Sequence, residues 1–136
     1  MKNKKDDVRE WLRRAESNFE IAKRGKTSPK IVYEDLCYDC QQAAEKAIKA
    51  VLIFYNLPFP KTHNIKHLLK LLNEGEIEVP KVIEQAQVLT EYIVDTRYPD
   101  DFAPVDSKAY KQALKLAAKV LQWAKILIEK KPDKLF

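Results

Sequence analysis

Apolar residues return every three or four positions along most of this chain, the spacing of helices that each bury one side. Val8, Trp11, Leu12, Ala15, Phe19 and Ala22 form the first stripe and predict a helix from about Asp6 to Arg24. Asp6 and Asp7 suit its positive end, and Gly25 stops it. A second helix is predicted from about Ile31 to Asn56, with Tyr33, Leu36, Cys37, Cys40, Ala44, Ala47, Ile48, Val51 and Tyr55 on one face. Its apolar arc widens to Ala43, Ala50 and Phe54, as expected of a central helix, and Pro58 and Pro60 end it. Thr62 or Asn64 caps a short third helix reaching about Asn73. Pro80 opens a fourth, striped by Val82, Ile83, Ala86, Leu89 and Ile93, and Pro99 ends it near Thr96 or Arg97. Asp106 or Ser107 caps the last, where Tyr110, Ala113, Ala117, Val120, Leu121, Ala124 and Leu127 face inward. The expected fold class is all-α: an antiparallel up-and-down helical bundle of about five helices, four-helix-bundle-like. One domain covers residues 1–136, with its core at about 6–130.

Composition agrees with this reading. The chain has two glycines and seven prolines, too few for a turn-rich β architecture. No apolar run approaches the ~20 residues that cross a bilayer, so no membrane association is expected. Met1-Lys-Asn-Lys-Lys-Asp-Asp lacks the apolar stretch of a signal peptide. The expected compartment is the cytoplasm, where both cysteines would stay reduced. Charge is segregated along the chain: residues 1–30 carry +5, residues 31–106 carry −6, and residues 107–136 carry +6. That division can pair the ends with the middle, attract a polyanion, or orient one subunit against another.

The polar residues of the second helix break its pattern. Gln41 falls between Ile48 and Leu52 at the edge of the apolar face, with Glu45 just beyond. A buried amide needs partners for its donors and its acceptor. Gln41 therefore either reaches water at the edge or belongs to a polar network or ligand site. Gln42, Lys46 and Lys49 lie away from the apolar centre, as solvated residues would. Cys37-Tyr-Asp-Cys40 and His63-Asn-Ile-Lys-His67 have the ligand types of a zinc site. Both cysteines, however, sit on the apolar face of a long helix and read as small buried hydrophobes, so no metal is expected. Asp95, Thr96, Arg97, Tyr98 and Asp100 crowd polar groups at one predicted helix end. Arg97 there could serve the helix dipole or grip a phosphate with two parallel bonds. Lys108, Lys111, Lys115 and Lys119 run down one side of the last helix, as a solvated face or a phosphate-contacting stripe. No aromatic residue is interleaved with them, which argues against base stacking.

Four elements in order resemble the HEPN family (higher eukaryotes and prokaryotes nucleotide-binding domain). They are Trp11 with Ala15, the Gln41-Gln-Ala-Ala-Glu-Lys46 core, Thr62-His63-Asn64-Ile65 leading to Leu68-Leu69, and Thr96-Arg97-Tyr98-Pro99-Asp100. The resemblance implies a helical bundle that associates as a homodimer, with a nucleotide- or RNA-binding cleft near the interface and no cofactor. In many members an arginine at this helix end is followed four to six residues later by a histidine, and together they form a metal-independent ribonuclease site. Here Phe102, Ala103 and Pro104 occupy that window, so the resemblance implies a non-catalytic protein. Small stand-alone members often pair with a separately encoded minimal nucleotidyltransferase, in a toxin–antitoxin or substrate-binding arrangement, and the resemblance implies such a partner here. On that reading Arg97 holds phosphate, Tyr98 and Gln41 shape the cleft, Glu45 or Asp95 orients the arginine, and Lys46 or Lys49 adds a phosphate contact. Two alternatives stand beside it. One is a ribonuclease using Arg97 with His63 as a displaced acid–base; the other is a structural dimerisation module.

Overall fold

The computed structural model describes residues 3–93 and 104–130, and every described element is helical. Helix α1 spans Lys4–Arg24, α2 Tyr33–Phe54, α3 Ile65–Glu74, α4 Lys81–Glu84 and α5 Ser107–Lys130; a 3-10 helix, Gln85–Tyr92, continues directly from α4. Helix α2 is central. It packs along α1 on one side and α5 on the other, and α3 and the 3-10 helix close over it. Its buried residues run almost without interruption from Leu36 to Phe54. Many of the buried positions are alanines, among them Ala15, Ala22, Ala43, Ala44, Ala47, Ala113, Ala117 and Ala124. Such small side chains let helix backbones approach closely, while Ile48, Leu52, Phe54, Leu68 and Leu72 supply the bulk of the apolar filling. No described helix is long and apolar enough to cross a membrane.

The helix ends show what the apolar stripes alone left open. Helix α1 begins two residues earlier than its stripe implies, because the Asn3 side chain accepts from the Asp6 amide at 2.9 Å. Helix α2 stops before its prolines. Asn56 adopts φ 60°, and the Leu57 amide donates to the Leu52 carbonyl at 2.8 Å, a Schellman closure. Helix α3 ends the same way, with Glu76 at φ 65° and the Ile77 amide on the Leu72 carbonyl. Asn64 caps α3, accepting from the His67 amide at 3.1 Å, and Asp106 caps α5 through the Ala109 amide at 2.8 Å.

The fourth helix departs from expectation. Only one turn is α-helical, and the remainder is 3-10 and closes at Tyr92, with Ile93 extended. The physical reason lies in the stripe: Ile83, Ala86 and Leu89 recur at intervals of three, which a helix of three residues per turn keeps on one line. Val88, off that line, is about half exposed. Thr96 and Arg97, where this helix was expected to end, lie outside the described residues.

Tyr110 joins three elements at one end of the bundle. Its hydroxyl donates to the Ala22 carbonyl at 2.7 Å, and its ring stacks on Tyr33 at 5.3 Å between centroids. Gly25, at φ 71°, ends α1 beside it.

Cys37 and Cys40 are fully buried in this core. Burial, reinforced by the charge of Glu34, pushes the Cys37 thiol up to about 11, with a hydrogen bond from Tyr92 acting against the shift. Burial, then the charges of Cys37 and Asp39, pushes Cys40 up to about 12. Both thiols should resist a disulfide reagent at pH 8 in the native protein and react at once in denaturant. Folded values above the ordinary 9.0 mean that the unfolded chain releases these protons first. Stability is therefore fully present below pH 9 and should fall as pH climbs from there toward 12. Denaturant midpoints of the native protein and a Cys37→Ala/Cys40→Ala variant over that range check the assignment; identical pH slopes would refute it.

Candidate functional site

Gln41, Glu45 and Lys49 are the buried polar side chains of the described residues, at 0%, 2% and 6% exposure. Spaced four apart, they form a ladder down one side of α2. The Glu45 carboxylate is its centre. One oxygen accepts from the Gln41 amide at 2.9 Å, and the other from the Lys49 ammonium at 2.8 Å. His63 Nδ1 completes the set at 3.0 Å from Oε1 and 3.3 Å from Oε2. A carboxylate paired with a lysine is an acceptor only, so Nδ1 carries the imidazole proton in this contact and Nε2 is left for another partner.

His63 comes from the segment between α2 and α3, and several bonds fix its position. Gln41 donates to its carbonyl at 3.3 Å, the Asn64 amide reaches Thr62 Oγ1 at 3.1 Å, and the Ile65 amide reaches Thr90 Oγ1 at 3.1 Å. Ile65 is itself buried beneath them. The Gln41 carbonyl oxygen accepts from Gln42 at 2.7 Å, so the buried amide is satisfied on both sides. Among the described residues, no buried side-chain nitrogen or oxygen lacks a partner.

Lys49 lies opposite to its expected place. Expected on the solvated side of α2, its side chain is 7% exposed, with its ammonium 5.4 Å from the centre of the Trp11 ring and 5.7 Å from that of Phe59. Its charge is held by Glu45 and two aromatic faces. The physical reason is that α1 and the Phe59 segment both pack over this side of α2, which the helical wheel of α2 alone does not show. Lys46 is half-buried and donates to Asn18 Oδ1 at 2.7 Å, while Asn18 donates to Asp39 at 3.0 Å. Burial, together with the charge of Arg14, lowers the Lys46 ammonium below its usual range. Burial raises the Asp39 carboxyl, against the hydrogen bond from Asn18.

Glu45 and Lys49 of the ladder line a cleft of about 380 Å³ between α1 and α2, while Gln41, expected to shape it, is fully buried behind Glu45 and outside the lining. Asp7, Glu10 and Glu45 give it three carboxylates, and Arg14, Lys46 and Lys49 three cations. Trp11, Gln42 and His63 complete the lining. The His63 side chain is 60% exposed and Arg14 62%, so an imidazole and a guanidinium stand at the rim while the carboxylate lies at the floor. A cleft that mixes both charges with an indole and amides fits a ligand carrying both an anionic group and hydrogen-bonding polar edges. A larger groove of about 480 Å³ beside α3 and α4 includes none of the three buried polar residues.

Of the residues singled out from the sequence, the structure brings Gln41, Glu45, Lys49 and His63 into one network. Asp95, Arg97 and Tyr98 lie outside the described residues. Cys37 and Cys40 are core, and His63 is turned to Glu45. Among the described residues no group of three metal-ligating side chains forms. Arg14, Asn18 and Asp39 were not anticipated as site residues. The signal was present in Arg14 and Asn18, four apart on α1, with Asp39 and Lys46 on α2, but it requires knowing which faces of the two helices meet.

The described residues thus define an all-α helical bundle around a central helix, and that helix carries the Gln–Glu–Lys ladder on its buried face. The HEPN domain family model matches residues 8–127, and the chain belongs to that family. It is 31% identical over 99 residues to "Putative toxin MJ1304" of Methanocaldococcus jannaschii, covering 68% of this chain and 63% of that protein's length, less than two thirds of it. The crystal structure of ST0689, an archaeal HEPN homologue, superposes with a TM-score of 0.71 at 30% identity, covering 94% of this chain and 99% of that one.

Removing one member of a buried ion pair leaves a charge without compensation, at a cost of about 3–5 kcal/mol. Lys49→Met should lose stability on that scale, and adding Glu45→Gln should recover part of it by removing the stranded charge. Urea unfolding of the three proteins checks this; equal losses in single and double variants would mean that Lys49 contributes through packing alone.

Proposed function

We propose that this is a non-catalytic HEPN domain protein that binds a nucleotide or RNA in the cleft between α1 and α2. In this reading it works as a cytoplasmic homodimer, alongside a separately encoded minimal nucleotidyltransferase in a toxin–antitoxin arrangement. The observation that carries the reading is the buried Gln41–Glu45–Lys49 ladder, whose Glu45 and Lys49 line a cleft of about 380 Å³. Burying charge costs stability even when it is paired, and an apolar core would have served packing as well. The name of the Methanocaldococcus relative supports the toxin–antitoxin setting. Arg14 and Lys46 at the rim offer cations to a phosphate, with Arg97 and Tyr98 as further contacts, and Gln42 offers hydrogen bonds to a base edge. Asp95 or Glu45 would orient Arg97. The opposite signs of successive segments favour ordered pairing of two copies.

One observation favours a second reading. With Nδ1 on Glu45, His63 has the carboxylate-oriented imidazole of a general acid–base, and with Arg97 it would form a displaced ribonuclease pair. On the leading reading, saturating ATP, GTP or a short RNA raises the melting temperature, since a ligand at one hundred times its Kd adds about 2.7 kcal/mol. His63→Ala and Gln41→Ala should reduce that shift. tRNA and mRNA incubated with the protein in EDTA should remain intact. Cleavage lost in both His63→Ala and Arg97→Ala would establish the second reading instead. No shift with any ligand, with the dimer intact in both variants, would leave a structural module.

A further inference from the structure

Four lysines of α5 play no part in the ladder or its cleft. Lys108, Lys111 and Lys115 are exposed and Lys119 is half-buried. Spacings of three, four and four residues set them on one side of the helix over a rise of about 16 Å. Three of them line an open groove of about 620 Å³ together with Ser107 and Gln112, and the groove has no carboxylate in its lining.

These lysines lie opposite the buried stripe of α5. Lys49, Lys125 and Lys23 each face a carboxylate, whereas among the described residues none of the four α5 lysines does. The Asp106 carboxylate caps the first turn of α5 through the Ala109 amide, and the helix itself carries no acidic residue in that turn beside Lys108. Successive members stand three or four residues apart, where like charges repel. The arrangement concentrates positive charge on one face of the helix.

We infer that this stripe is a contact surface for the phosphate backbone of RNA, separate from the cleft and indifferent to sequence. The large exposed hydrophobics of the described residues are Ile21, Val32, Val88 and Ile126, none of them in this groove. A protein partner would need an apolar centre, and lysine is depleted from protein–protein interfaces. The groove has no aromatic side chain either, so bases have nothing to stack on. Flexible ammonium groups without either feature suit phosphates, each engaged as a point charge. The inference deepens the RNA-binding reading above, since it assigns the backbone to α5 and leaves the polar cleft for a nucleotide.

The test is fluorescence anisotropy with two labelled RNAs of unrelated sequence, titrated with salt, for the wild type and a Lys108→Gln/Lys111→Gln/Lys115→Gln variant. Three lost phosphate contacts should flatten the slope of log K against log salt by about 2, at roughly 0.7 per contact for single strands. Both RNAs should respond equally, and the variant should melt no lower than the wild type. RNA binding with an unchanged slope in the triple variant would overturn the stripe and leave the cleft reading standing. If the wild type binds no RNA at low salt yet is stabilised by ATP or GTP, the stripe and the RNA ligand both fall while nucleotide binding survives. Polyglutamate binding as tightly as RNA would reassign the face to an acidic protein.

Discussion

A carboxylate taken out of water must be met by donors from its surroundings, and in this bundle the Glu45 carboxylate sets that demand. Lys49 answers from one turn along α2, Gln41 from one turn back, and His63 from the segment entering α3. Each partner is in turn held elsewhere. Trp11 and Phe59 flank the Lys49 ammonium, and Gln41 also grips the His63 carbonyl. One buried charge thus ties α1, α2 and the start of α3 to a common arrangement. Apolar packing alone would hold the helices together while tolerating small slides between them. Directional bonds to a single carboxylate tolerate much less.

The alanine-rich seam makes this burial feasible. Ala15 of α1 and Ala43, Ala44 and Ala47 of α2 are fully buried, and such small side chains let helix backbones approach closely. The His63 imidazole and Arg14 stand at the rim of the cleft, where a ligand can reach them. The protein therefore uses lysine in two ways. Lys49 is desolvated, paired and structural; Lys108, Lys111 and Lys115 of α5 are exposed and face no carboxylate among the described residues. Family membership sets this arrangement in a HEPN framework shared with an archaeal homologue along nearly the whole chain.

Much of the fold was legible in particular residues. The stripe from Val8 to Ala22, the wide apolar arc of α2 and the Asn64 and Asp106 caps led directly to observed elements. Two signals misled, each for a physical reason. Pro58 looked like the stop of α2, but the left-handed turn at Asn56 ends the helix first. Ile83, Ala86 and Leu89 fit a fourth α-helix, yet a period of three is read equally well by the 3-10 geometry observed. In the site, Gln41 stood out because an amide on an apolar face demands an explanation. Lys49 was singled out only as a phosphate contact and not as a buried partner of Glu45, because its own helix places it among residues that read as solvated.

By itself the sequence determined the helical class, the centrality of α2, the segregation of charge and the presence of unusual polar residues at Gln41 and Glu45. These are properties of spacing along one element, and local periodicity records them. Only the tertiary structure decided that Lys49 is buried, that His63 meets Glu45 across eighteen residues, and that Arg14 and Asn18 face Lys46. Which face of one helix meets which face of another depends on the summed packing of the whole core, and no single stripe contains that sum.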